Sequence, residues 1–314
     1  MPEPFTDVDL PLPDRRAGKV RVSYALDGGR RLFVTTDRLS AFDRILAGVP
    51  YKGQVLNQLA AWWFNHTKDI VGNHFLGMPD PNATIALDVE PLPVEVIVRG
   101  HITGVTTTAL WYRYNLGERR IYGYDVPDGL RKNQELPEAI ITPTTKGGPT
   151  GHDERLDLDE IVARGDLTKK DWDFVKKAAL ALFARGRETA RKAGLILVDT
   201  KYEFGRAKDG GIILIDEVHT PDSSRFWKLD SFKSRFEAGQ EPELFDKEFV
   251  RIAYAEKGYR GDGDAPEMPK ELWARTSVLY QTMFEKLTGQ EFLPGEYPAG
   301  PRALRNLKRE GIIQ

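Results

Sequence analysis

Cysteine is absent from the 314 residues. That removes disulfides, thiol nucleophiles, iron–sulfur centres and cysteine-based zinc sites together, and it is compatible with a cytoplasmic protein. No apolar run approaches the ~20 residues that span a bilayer, so no membrane helix is expected. The opening MPEPFTDVDLPLPDRR has no charged segment leading into an apolar core, so no signal peptide is expected either. It reads as an extended, proline-rich arm. Charge of one sign is also missing. Lys and Arg number 45 against 47 Asp and Glu, a net charge of -2, which gives no bulk electrostatic case for nucleic acid or an anionic membrane. Any anion has to be held by local clusters.

Several familiar signatures are missing too. There is no dinucleotide fingerprint and no Walker-type P-loop. The five histidines (His66, His74, His101, His152 and His219) show no H-x-H or HExxH spacing, which argues against a zinc hydrolase. No G-x-S-x-G elbow supports a serine hydrolase. Neither an internal repeat nor a low-complexity tract is present. What remains is a chain with 40% hydrophobic and 29% charged residues, the composition of a globular core, and a length that suggests about two structural units.

The first third reads mostly as strands. KVRVSYAL (19–26) and RLFVTTDR (31–38) flank Asp27-Gly28-Gly29, which predicts a hairpin. A helix is expected over 54–65, with Val55, Leu59, Trp62 and Trp63 at helical spacing. TIALDVE (84–90) and PVEVIVRG (93–100) follow, broken by Pro91 and Pro93 at what reads as a hinge between two lobes. Residues 115–160 read as a long polar loop, of the kind that is functional or disordered. Thr168 and Gly194 bracket a helix over 169–192. The last 85 or so residues look mainly helical, most clearly between Pro269 and Gly289. Strands and helices are partly segregated, so the expected class is α+β.

The most informative stretch is LILVDTKYEF (195–204) followed by IILIDEVH (212–219). Strand alternation puts Asp199, Lys201 and Glu203 on one face and Thr200, Tyr202 and Phe204 on the other. In either register, Asp216 or Glu217 joins the first face. Carboxylates beside a lysine suit a divalent hard cation with a phosphate next to it, and a solvated face of cross-strand ion pairs is the competing reading. Asp222, Ser223, Ser224 and Arg225 form a polar knot that could cradle phosphate or cap a helix. Arg99 ends an apolar strand before Gly100 and Gly104, where it meets either an anionic ligand or a buried acid such as Glu95. Gly18-Lys19-Val20-Arg21 fits a phosphate-covering loop or plain surface charge. The 37–43 loop and His152-Asp153-Glu154 are equally open.

LVDTKYEFG (197–205) and LIDEVHTPDSSRFW (214–227) strongly resemble the SAICAR synthetase family. The family's other marks stand in order: GKVR near the start, TDRLSAFD (36–43), KGQVLNQLAAWWF (52–64) and LPVEVIVRGHITG (92–104). The resemblance implies a ligase of purine biosynthesis that joins the carboxylate of CAIR to the amine of L-aspartate through an acyl phosphate, giving SAICAR, ADP and phosphate. ATP is then a co-substrate and Mg²⁺ the cofactor. It also implies a small β-rich nucleotide lobe (1–91), a larger α/β lobe for substrate and metal (92–228), a helical part (229–314), and an ATP cleft between the lobes. A homo-oligomer is left open.

Carried over by motif, Glu203 and Asp216 become the Mg²⁺ ligands and Lys201 the cation that neutralises the migrating phosphoryl group. Asp199 and Asp222 would bond the ribotide, and Arg99, Ser223 and Arg225 its 5′-phosphate. Gly18, Lys19, Val20 and Arg21 would face the ATP phosphates, and the backbone at Leu92 the adenine. Ser40 and Asp43 fall on the aspartate or ribotide side, with Lys146 and Asp153 in a loop that closes over substrates. Two departures stand out: Val22 where the family usually has an acid, and Val105-Thr106-Thr107-Thr108 where it usually has a serine after Gly104. A small-molecule kinase would need the same ATP equipment but no amine site, and a ribotide sensor could dispense with the metal and the lysine.

Overall fold

A computed structural model describes residues 1–42, 44–146, 154–261 and 263–314. Strands β1 (Arg16–Ala17), β2 (Arg21–Leu26) and β3 (Arg30–Thr35) open the chain. The β2–β3 hairpin turns where expected, with Gly28 and Gly29 at φ 73° and 69°, a region that costs glycine nothing. β4 (Arg38–Ala41) and β5 (Arg44–Gly48) form a separate ribbon, followed by α1 (Lys52–Thr67). β6 (Phe75–Asp80) and β7 (Ala83–Leu87) complete a five-stranded antiparallel sheet in the order β1-β2-β3-β7-β6.

Val22, Tyr24, Leu32 and Val34 are fully buried on one face of this sheet. The register opposes Val22 to Val34, so the usual acid at position 22 would stand in a hydrophobic core here. The N-terminal arm closes that core with Phe5, Val8 and Leu10, and the Tyr24 hydroxyl donates to the Val8 carbonyl at 2.8 Å.

β8 (Glu90–His101) runs straight through Pro91 and Pro93. The expected break is absent for a local reason: the register passes from Glu203–Glu95 to Gly205–Pro91, so β8 itself carries the extra residues of a bulge at its prolines, where a missing N–H does no harm. After it come α2 (Leu110–Asn115), β9 (Arg120–Ile121), β10 (Tyr124–Asp125), β11 (Glu135–Ile141) and β12 (Thr144–Thr145). The stretch from 115 is therefore not one continuous loop but is interrupted by short strands. It has its own small core around Ile102, Leu110, Ile121 and Tyr122. The segment expected to close over substrates falls mostly at 147–153, outside the described residues.

α3 (Leu158–Ala163) and α4 (Lys169–Lys192) precede β13 (Leu195–Arg206), β14 (Ile212–Ile215) and β15 (Ser224–Lys228). The Thr168 hydroxyl caps α4 by accepting from the Asp171 N–H at 3.1 Å. The second sheet is ordered β11-β8-β13-β14, with β12 on β8 and β15 on β13. Helices α5 (Leu229–Glu237), α6 (Glu248–Glu256), α7 (Lys270–Thr288) and α8 (Ala299–Arg309) follow. The class is α+β. Val55, Leu59 and Trp63 of α1, Val175 and Leu182 of α4, and Met283 of α7 pack one large core with Tyr202 and Phe204. α8 returns to the first sheet, where Arg302 spans both oxygens of buried Asp80 at 3.1 Å each.

Candidate active site

Two cavities flank β13. The first, of about 190 Å³, lies between the first sheet, α1 and the start of β8. Phe33, Leu56, Phe64, Val89 and Pro91 give it apolar walls, and Arg21, Lys146, Glu203 and Asp216 give it a charged end. A flat heteroaromatic ring with a polyanionic tail suits such a slot.

The charged end is tightly cross-linked. Glu203 accepts from both Lys146 and Lys201. Lys201 Nζ also donates to Glu95 Oε1 at 3.0 Å and stands 3.8 Å from Asp216 Oδ2. Arg21 donates to Asp216 and reaches Glu217 Oε1 at 3.4 Å. Burial disfavours the charge on Lys201, but Asp216, Glu203 and Glu95 outweigh it and hold the ammonium's pKa well above its ordinary value. Burial likewise lifts Asp216, and the cations of Arg21 and Lys201 reverse this to leave it below the usual carboxylate range. Glu217 is lifted by burial, opposed by Arg21 and helped by the charge of Asp216.

Asp216 has φ 68°, a left-handed turn directly after the last residue of β14. A non-glycine residue held there is characteristic of functional sites. Glu203 lies directly opposite Glu95 across β13 and β8, a like-charge pairing that costs stability unless cations intervene, and here Lys201 bridges the two.

The second cavity, of about 170 Å³, lies on the other side of Lys201, which contributes to its wall. Sheet register builds it, for Asp199 is paired with Arg99 on β8 and with Arg225 on β15. Arg99 Nη1 donates to Asp199 Oδ2 at 3.2 Å and its Nε to the Thr142 hydroxyl at 2.8 Å. Arg225 Nε stands 3.5 Å from Asp199 Oδ1. Arg99 thus has an acid partner, and that acid is Asp199 rather than Glu95. Ser223 and Ser224 add hydroxyls, and Lys247 and Arg251 add cations at the mouth. Two guanidinium groups with hydroxyls beside them have the chemistry to receive a phosphate monoester.

Most of the residues expected from sequence do meet here. Arg99, Asp199, Asp222, Ser223, Arg225 and Lys201 surround one cavity, and Lys146, Glu203, Asp216 and Arg21 the other. Each carboxylate oxygen of Asp222 also accepts a bond from outside the cavity, from Lys52 at 2.8 Å and from the Tyr280 hydroxyl at 2.5 Å. Of the GKVR run only Arg21 lines a cavity. Val20 packs against the main core, and exposed Gly18 bonds back to the Arg21 carbonyl at 2.8 Å. Lys19 is exposed on the same turn. Leu92 is buried in the main core, and its neighbours Val89 and Pro91 face the slot instead. Ser40, on β4, lines neither cavity. Asp43 and Asp153 lie outside the described residues.

Sequence reasoning missed Asp246, Lys247, Glu248 and Arg251, and it offered Glu95 as a partner for Arg99 rather than for Lys201. Burial, with the neighbouring charge of Glu248, pushes Asp246 up to about 7 while its oxygens accept from the Phe226 and Glu248 N–H groups. The signal was Asp246-Lys247-Glu248 at the head of α6, a charged run that resembles any solvated helix start. Gly104, at φ 93°, packs close against Arg225: a side chain at 104 would meet Nη1 at 3.2 Å.

Among the described residues no three His, Asp or Glu side chains converge as a metal cage. Glu203 and Asp216 nonetheless suit Mg²⁺ by donor chemistry. That ion takes one or two carboxylates and draws its remaining ligands from phosphates and water.

The sequence model of the SAICAR synthetase family matches residues 14–266, and the chain belongs to that family. The phosphoribosylaminoimidazole-succinocarboxamide synthase of Legionella pneumophila (strain Paris) is 48% identical over 98% of this chain and 99% of its own. Among solved structures, the SAICAR synthase of Saccharomyces cerevisiae complexed with SAICAR superposes with a TM-score of 0.79 at 32% identity, covering 92% of this chain and 99% of that one. A SAICAR synthetase in complex with ADP shares the fold, with a TM-score of 0.68 at 24% identity over 89% of this chain and 100% of that one.

Proposed function

We propose that the chain is an ATP-dependent carbon–nitrogen ligase that joins CAIR to L-aspartate, yielding SAICAR, ADP and phosphate. The observation that carries this reading is the position of Lys201. It belongs to the wall of the phosphate-receptor cavity and bonds the carboxylate that closes the nucleotide-shaped slot. Its ammonium stands where a carboxylate from one side would meet a phosphoryl group from the other.

A carboxylate is a poor acyl donor. In the first step a CAIR carboxylate oxygen attacks the γ-phosphorus of ATP, and the bond to ADP breaks. In the second the aspartate amine attacks the acyl carbon, the C–O bond breaks, and phosphate leaves as the amine loses its proton. Both steps gather negative charge, so positioning and fixed cations do most of the work. Arg21 and Lys146 would face the ATP phosphates, and Lys201 the oxygen shared by the two substrates. Arg99, Arg225 and Ser223 would hold the 5′-phosphate of the ribotide, with Asp199 keeping both guanidinium groups in place. Glu203 and Asp216 would hold Mg²⁺, which when bound supplies charge neutralisation at the β- and γ-phosphates.

The division of labour we infer gives residues 1–91 the nucleotide, 92–228 the ribotide and metal, and 229–314 a supporting helical role. Its support is that Arg21 and Phe33 come from the first part, and Arg99, Glu203 and Arg225 from the second. Among the described residues no helix is long and apolar enough to cross a membrane, which is compatible with the cytoplasmic location we propose.

The test is ADP release from Mg-ATP and CAIR, with and without L-aspartate, with the product identified by mass. ADP should form only when both substrates are present, together with the succinyl-carboxamide. Equal ADP release without aspartate would point to a kinase instead.

A further inference from the structure

Lys52 begins α1, and its side chain is completely buried. An ammonium in that position needs a counter-charge, and Asp222 Oδ2 accepts from Nζ at 2.8 Å. The other oxygen, Oδ1, accepts from the Tyr280 hydroxyl at 2.5 Å. Lys247 stands 3.9 Å from Oδ2. Four separate segments of the chain therefore meet at one carboxylate. α7, which carries Tyr280, is fixed beside the start of α1 by Ser277, whose hydroxyl donates to the Pro50 carbonyl at 2.7 Å.

Asp222 lies in a turn knotted around Thr220. The Thr220 hydroxyl accepts from the Asp222 and Ser223 N–H groups at 3.2 and 3.1 Å, and the Thr220 N–H donates to Ser223 Oγ at 3.0 Å. The same turn delivers Ser223 and Arg225 to the second cavity.

We propose that Tyr280 and Lys52 are positioning residues for the ribotide cavity: by fixing both oxygens of Asp222 they set where the 220–225 turn presents Ser223 and Arg225. The inference rests on the ligase reading and gives α7, which lines neither cavity, a part in substrate binding. The protonation states agree with it. Burial would lift Asp222, but Lys247, Lys52 and the Tyr280 hydroxyl hold it below the usual carboxylate range. Burial and the Asp222 charge keep Tyr280 a protonated donor.

Tyr280→Phe removes one oxygen and keeps the ring, so the packing of α7 is retained. The KM for CAIR should rise about tenfold, the loss expected of one hydrogen bond to a charged group. The KM for ATP should stay at its wild-type value, and the Tm should fall by about 2–4 °C at most, because one buried acceptor loses its donor. Combined with Asp222→Asn, the variant should bind CAIR no worse than Asp222→Asn alone, because Tyr280 acts through Asp222. Unchanged constants, an equal rise in both KM values, a drop in Tm with both KM values intact, or additive effects would each overturn the proposal. Wild-type turnover is measured in the same assay. Its absence would overturn the ligase reading and this inference with it, whereas normal wild-type turnover with unaltered variants would overturn the positioning role alone.

Discussion

Lys201→Met is expected to lower kcat by roughly 10²–10³-fold, the usual cost of deleting a preorganised charge at a reacting centre. The methionine side chain nearly matches the length and volume of the lysine stem, so β13 keeps its core packing through Tyr202 and Phe204. What disappears is a cation that touches Glu95, Glu203 and Asp216 together. Arg21 remains paired with Asp216 and Glu217, and Lys146 with Glu203. The negative charge gathering between the two cavities would then lose its neutralising partner. Lys201→Arg is expected to recover little, because a planar fork cannot replace a compact ammonium held among three acids. Removing the ammonium also leaves Glu95 and Glu203 opposed without their bridge, so the Tm should fall as well. The expected result is a loss of kcat far larger than the fraction of enzyme unfolded at the assay temperature, with folding checked by circular dichroism. A kcat close to wild type would show that Lys201 is only structural.

Glu203→Gln and Asp216→Asn form the second test, each expected to reduce kcat by roughly 10²-fold or more by weakening the electrostatic hold on metal and phosphate. The two differ in their effect on stability. Asn tolerates the left-handed conformation at 216 about as well as Asp does, so the turn after β14 should persist. At 203, Gln removes one charge from the pair directly opposite Glu95. Relief of that repulsion offsets the weakened bonds to Lys146 and Lys201, so the Tm of Glu203→Gln should match or exceed that of wild type. Activity and stability thus part company at this position, as happens where a strained arrangement serves function. The check is kcat together with thermal melting and circular dichroism. Near-normal turnover in both variants would remove Glu203 and Asp216 from the metal site.

Where a local period carried the information, the sequence was readable. Alternation along β13 put Asp199, Lys201 and Glu203 on one face and the core residues on the other, and the structure has that arrangement. The glycine turn of the β2–β3 hairpin and the Thr168 cap of α4 were legible for the same reason: each is written within a few adjacent residues. The Arg99–Asp199–Arg225 row was not, because it depends on the register between strands about a hundred residues apart. Pro91 and Pro93 misled in the opposite direction, since the bulge that accommodates them shows only once β8 is paired with β13. The small core of the 115–145 region went unread because its strands are only two residues long at Arg120–Ile121 and Tyr124–Asp125. Nothing local marks Lys52 or Lys247, and only the return of α7 and the 220–225 turn reveals the buried acid between them.

The central claim is that a carboxylate and a phosphoryl group meet at Lys201 and pass through an acyl phosphate. It is tested most directly by supplying CAIR labelled with oxygen-18 in its carboxylate, together with Mg-ATP and L-aspartate, and analysing the released phosphate by mass. The account predicts one labelled oxygen in each phosphate formed, with the other carboxylate oxygen retained in the amide. Unlabelled phosphate, alongside normal SAICAR formation, would contradict it.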